Sequence, residues 1–112
     1  MILTFSNRAK KLKKAWETND FHTLEIEYDS DTAACIADVL NLLNSARNLH
    51  DVKPFKQYRP HTIEGGSVFS LSLVGRKRLT IRTLDAQGKQ TKKVDFSATG
   101  SIILEVTEHY GD

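Results

Sequence analysis

Apolar positions follow two regimes along this chain, a helical period before Pro60 and a two-residue period after it. Ile2, Leu3 and Phe5 open the chain as a short strand signal. Ser6 or Asn7 comes next, each with a side-chain oxygen that can accept from the free N–H groups of a helix start. Ala9, Leu12 and Trp16 then recur at helical spacing, which predicts a first helix with one apolar stripe, ending near residues 18–20. Residues 21–28 are ambiguous: Leu24, Ile26 and Tyr28 alternate as in a strand, yet a loop packed on the core fits as well. Ser30 or Asp31 is the expected cap of a second, longer helix. Its Ile36, Val39, Leu40 and Leu43 fall at i, i+3, i+4 and i+7. Residues 44–48 end it, and Pro54 and Pro60 mark residues 50–60 as a connecting loop.

Beyond Pro60, Phe69, Leu71 and Leu73 alternate with Ser70 and Ser72, which is a strand with one apolar face. Residues 74–77 are a turn signal, and Leu79, Ile81 and Thr83 alternate against Thr80 and Arg82. Residues 85–88 signal a second turn, and residues 92–96 and 101–106 complete a predicted meander. The expected fold class is α+β, two N-terminal helices packed on a small antiparallel β-sheet, in one domain over residues 1–112.

Composition narrows the class of protein. No apolar run approaches the length of a membrane span, and the first residues lack the basic start and long apolar core of a signal peptide. Cys35 is the only cysteine, so an internal disulfide is excluded, and its place in the second helical pattern marks it as a small core residue. A soluble, cytoplasmic protein is expected. The net charge of +2 hides a strong segregation. Arg8, Lys10, Lys11, Lys13 and Lys14 crowd the first helix without an acid among them. Six acids follow over residues 17–31, and the chain is basic again from Lys53 onward. Segregated charge favours a polyanionic partner, against the simpler reading of a solvated lysine face.

The order and spacing of four segments resemble the RelE/ParE superfamily of bacterial toxins, most closely its HigB-type plasmid maintenance system killer branch. Phe5-Ser6-Asn7-Arg8 with the basic helix after it resembles that branch's opening. Tyr58-Arg59-Pro60-His61 is similar to its Tyr/Phe-Arg-Leu-His segment, and residues 69–82 to its central hairpin. Residues 103–111, ending Glu108-His109-Tyr110-Gly111, resemble its terminal Asp-Tyr-His-Gly. The resemblance implies a toxin of a type II toxin–antitoxin system that cleaves messenger RNA on the ribosome and is restrained by a cognate antitoxin. ParE relatives act instead on DNA gyrase. A non-catalytic toxin with a protein target, or a degenerate binding module, therefore stays open. By the same resemblance His61, Arg78, Glu108, His109 and Tyr110 are the expected catalytic set. Arg8, Lys10, Lys11, Lys14, Arg59, Arg76, Lys77 and Arg82 are the expected RNA contacts. The chain departs from the branch in two places. The terminal order is Glu-His-Tyr, and residues 62–66 carry Glu64 where bases are usual.

Ribonuclease chemistry without a metal needs a group that activates the ribose 2′-OH, a cation for the charge that builds on the phosphate, and an acid for the leaving 5′-oxygen. His61 and His109 are expected to share the proton transfers, with Glu108 orienting a histidine. Arg78, with Arg76 or Arg82 nearby, would clamp the phosphate through its planar guanidinium, and Tyr110 would stack on a base or donate to the phosphate. The four histidines lack zinc-site spacing, so neither metal nor cofactor is expected.

Overall fold

The computed structural model describes residues 1–108. Strand β1 (Ile2–Phe5) leads through a turn into helix α1 (Lys10–Thr18). Neither Ser6 nor Asn7 caps α1. The cap position is Ala9, and no side chain accepts from the helix start. The Ala9 N–H instead donates to the Ser6 carbonyl at 3.0 Å. The intervening turn thus uses the Ser6 backbone, and the Ser6 Oγ is buried without a partner among the described residues. Leu12 and Ala15 are buried, while the lysines of α1 face outward. Asn19 ends the helix in the left-handed conformation (φ 53°), which a short amide side chain tolerates.

Residues 21–28 are neither strand nor open loop. A 3₁₀ turn (Phe21–Thr23) runs into a one-turn helix, α2 (Leu24–Glu27). The Asp20 carboxylate accepts from the His22 N–H at 3.1 Å and starts this local winding. Leu24 is buried and Ile26 is 89% exposed, so the alternation there reflects one buried anchor rather than a sheet face. Helix α3 (Ser30–Ser45) is capped one residue earlier than expected, by Asp29, whose side chain accepts from the Thr32 N–H at 2.7 Å. Ile36, Val39, Leu40 and Leu43 all lie in the core. At its far end the Met1 ammonium donates to the carbonyls of Ala46 (2.8 Å) and Asn44 (3.2 Å), tying β1 to the last turn of α3.

The sheet has five strands in the order β1-β5-β4-β3-β2, with β2 (His61–Ile63), β3 (Val68–Ser72), β4 (Lys77–Thr83) and β5 (Ser101–Glu108). β2 to β5 form the antiparallel meander, and β1 docks parallel along β5, which makes the sheet mixed. The architecture is α+β, helices first and most of the sheet after. Residues 92–96 do not add a strand. The Val94 N–H bonds to the Gly66 carbonyl (2.9 Å), the Thr83 hydroxyl takes the Asp95 N–H (3.0 Å), and Phe96 stacks edge-on against Phe69 at 5.2 Å. One backbone bond, one hydroxyl and one ring contact thus hold this segment as a packed loop.

One face of the sheet presents Phe69, Leu71, Leu79, Ile81, Ile102 and Leu104 to the helices, and all six are buried. Cys35 packs at the margin of this core, and burial, with Asp38 nearby, raises its thiol pKa. No helix among the described residues is long and apolar enough to cross a membrane.

Candidate functional site

The sheet register decides which of the expected site residues share a surface. His61 lies opposite Ser70, Ser70 opposite Thr80, and Thr80 opposite Glu105. Directly opposed residues face the same side, so these four form one row across the sheet. The next row is Ser72, Arg78 and Thr107. Both rows lie on the face turned away from the helices, because their neighbours Phe69, Leu71, Leu79, Ile81 and Leu104 fill the core. Arg82 shares this face, four residues along β4 from Arg78, or about 14 Å at strand spacing.

His61 sits exposed on the edge strand β2. Its Nδ1 is 2.7 Å from the Arg59 carbonyl. A carbonyl only accepts, so Nδ1 carries the hydrogen, and in the neutral ring the lone pair is left on Nε2. The geometry behind this bond is unusual. Arg59 adopts φ 46°, a left-handed conformation uncommon for a side chain of its size. Tyr58, just before it, packs against the core, and burial raises its phenol pKa, with Cys35 and Asp38 adding to the shift. The phenol therefore anchors the loop in its neutral form.

Arg78 is partly buried, with Nη1 3.2 Å from the Ser72 Oγ and 3.5 Å from the Ser70 Oγ. The two serines of β3 help hold the guanidinium on the open face. Arg82 Nη2 lies 3.7 Å from a Glu64 carboxylate oxygen. The acid found where bases were expected thus spends part of its charge on one of the proposed phosphate ligands. Gly65 and Gly66 have φ of 68° and 91°, and the Lys93 ammonium donates to the Gly65 carbonyl at 2.9 Å, closing that turn.

Other expected contacts lie elsewhere. Lys77 pairs with Glu108 in the β4–β5 ladder, and strand alternation puts both on the helix-side face, opposite to Arg78 and His61. Glu108 therefore does not share a surface with His61, and the other histidine that it was expected to orient, His109, lies outside the described residues. Arg76 is exposed in the β3–β4 turn. Arg8, Lys10 and Lys11 line a hollow of 420 Å³ with Glu27, Tyr28 and Glu105, where the Lys11 ammonium is 4.0 Å from Glu27. Lys14 is exposed on α1. His109 and Tyr110 lie outside the described residues.

Three residues absent from the expected set belong to this region. Lys53 and Lys56 line a 210 Å³ hollow with Arg59 and Pro60, immediately before β2, and the Lys53 ammonium sits 3.9 Å over the Phe96 ring. Glu105 stands on the open face in the His61 row and borders two hollows. Counting by twos along β5 would have found it, since 105 and 107 share a face and 108 does not. No protein-family model, curated protein or solved structure matches the chain.

An imidazole with an available Nε2 and a seated guanidinium on one open sheet face can together exchange a proton and hold a phosphate. Across two strand spacings and two residues along the strand, their Cα atoms are about 12 Å apart. That span is within reach of two long side chains acting on neighbouring atoms of one polynucleotide.

Proposed function

We propose that this chain is the toxin of a type II toxin–antitoxin pair, an endoribonuclease that cuts messenger RNA on the ribosome by acid–base chemistry of its own side chains. The observation that carries the proposal is the shared open face of His61 and Arg78, with the Arg78 guanidinium lodged on Ser70 and Ser72. In this mechanism Arg78 stabilises the charge that develops on the scissile phosphate, and the hydroxyls beneath it keep it from collapsing onto the sheet. His61 Nε2 moves one of the two protons. His109 is proposed to move the other and Tyr110 to stack on a base. The 2′-OH as nucleophile makes RNA rather than DNA the substrate. A cognate antitoxin would hold the protein inactive.

A second reading has specific support. With Glu108 on the helix side and Glu64 beside Arg82, a non-catalytic toxin acting on a protein such as DNA gyrase, or a degenerate binding module, uses the same basic surface without chemistry. Expression from a tightly repressed promoter, with mapping of RNA 5′ ends during growth arrest, decides among them. New ends inside translated codons support the nuclease. Arrest with intact messages and broken chromosomes supports a gyrase target, and unimpaired growth supports the binding module.

A further inference from the structure

The open face carries a second feature, a hollow of 350 Å³ where the end of β1 meets β4 and β5. Its lining combines Phe5 and Ile103 with the polar Asn7, Gln90 and Glu105, Phe5 belonging to the end of β1 where it also packs against the core. Thr80 and Arg82 close the side toward β4. The Thr80 hydroxyl is already committed, donating to the Glu105 carbonyl at 3.2 Å. The Glu105 carboxylate itself has neither an ion pair nor a hydrogen bond among the described residues. The Ser6 Oγ, buried in the same lining, also lacks a partner there. A solvent-reached carboxylate with no protein partner among the described residues, beside apolar side chains, is a group that a ligand can engage.

Position gives the ligand its class. Arg78 and Thr80 are successive residues on the open face, and Arg78 is diagonal to Glu105 across the β4–β5 ladder, about 7–8 Å away between Cα atoms. A nucleotide whose phosphate sits on Arg78 therefore brings its base to this hollow. Chemistry then selects among bases. A carboxylate only accepts hydrogen bonds. Guanine alone presents two adjacent donors on its Watson–Crick edge, the ring N1–H and the exocyclic N2 amino group, which match the two oxygens of one carboxylate. Adenine, cytosine and uracil each set an acceptor beside their donor, and that acceptor would face the negative charge. The amides of Asn7 and Gln90 can donate to the guanine O6 and N7 acceptors.

We propose that the Phe5–Glu105 hollow is a nucleobase pocket that selects guanine next to the phosphate held by Arg78. The ligand class rests on the nuclease reading, but the pocket is tested without cleavage. Titrate isotope-labelled protein with the 3′-monophosphates of guanosine, adenosine, cytidine and uridine and follow the backbone amides. The guanosine nucleotide should bind about tenfold or more tightly than the others, as expected for one bidentate base contact, and shift the amides of Asn7, Thr80, Gln90 and Glu105. Glu105→Gln should bring the four affinities together, and Asn7→Ala in the exposed turn should narrow the gap. Arg78→Ala should weaken all four alike. Equal affinities in the unmodified protein, shifts confined to other residues, or a preference that survives Glu105→Gln would each overturn the pocket. If messages are cut in cells while the four nucleotides bind equally, the pocket falls and the nuclease stands. If messages stay intact while guanosine monophosphate binds as described, the nuclease falls and the pocket stands.

Discussion

Glu108 faces Lys77 across the β4–β5 ladder, one residue beyond the point where Thr107 faces Arg78. That single step moves the carboxylate to the opposite side of the sheet from the guanidinium. Glu108→Gln is therefore expected to leave RNA cleavage within a few-fold of the unmodified protein. Single-turnover cleavage of a ribosome-bound message measures it. A loss as large as that of Arg78→Ala would mean that the last residue of β5 reaches the open face after all.

Arg78 Nη1 bonds two serine hydroxyls, and the value of this residue is the bidentate grip that a planar guanidinium has on a phosphate. Arg78→Ala should lower the cleavage rate by about 100- to 1,000-fold, the usual loss for one transition-state donor. Arg78→Lys should recover little of it, because a point charge does not reproduce the fork. His61→Ala should cost about 100- to 10,000-fold. Circular dichroism should show all three variants folded, since His61 is exposed and Arg78 is held at the surface by hydroxyls rather than by the core.

Leu71 on β3 and Leu40 on α3 are both fully buried where the sheet meets the helices. Either leucine changed to alanine should destabilise the protein by about 2–5 kcal/mol, from lost burial and the cavity left behind. Urea unfolding measures this as a shift in midpoint at constant slope. A change in slope would instead point to a less compact unfolded state.

Two surface carboxylates, Asp29 exposed and Asp51 half-buried, give the stability a defined acid limb. The Thr32 backbone N–H, its first hydrogen bond, holds Asp29 below the usual carboxylate range. The Arg47 guanidinium does the same for Asp51, through a contact of 3.2 Å. A carboxyl whose pKa is depressed by folding contributes stability that is complete above its unfolded value, about pH 4, and lost as pH falls through the folded value. The thermal midpoint should therefore hold steady from neutral pH to about pH 4 and fall below it. In Asp51→Asn and Asp29→Asn the midpoint should start lower and fall less. An acid limb identical in both variants would sink this assignment.

Much of this fold is written in periodicity, and the misses have physical causes. The α3 stripe of Ile36, Val39, Leu40 and Leu43 and the β3–β4 hairpin repeat over enough residues to dominate local detail. Local contacts defeated the pattern elsewhere. Asp20 starts the winding of residues 21–28, and the Thr83 hydroxyl, with the Val94–Gly66 bond and the Phe96–Phe69 contact, holds residues 92–96 outside the sheet. The parallel docking of β1 on β5 joins residues about a hundred positions apart in sequence, a pairing no local pattern carries. At the site, His61 and Arg78 share a face because Ser70 and Ser72 sit between them in register, whereas the resemblance that places Glu108 in the catalytic set carries no strand parity. Lys53 and Lys56 count in the sequence only as part of a basic stretch, because the loop that gathers them around Arg59 has no periodicity.

That loop supplies the last prediction. Lys53, Lys56 and Arg59 line one hollow without an acid in its wall, whereas Lys11 on α1 is paired with Glu27. A polyanion crossing β2 would release counterions from the unpaired group and few from the paired one. Each phosphate neutralised on a single strand contributes about 0.7 to the slope of log K against log salt. Lys56→Gln combined with Arg59→Gln should therefore reduce the slope for a single-stranded RNA oligonucleotide by about 1.4. Lys11→Gln should change it less than either single loop substitution. Fluorescence anisotropy between about 50 and 200 mM salt covers the range where this slope is steep. Equal losses from Lys11 and from the loop would show that binding follows overall charge and not the hollow before His61.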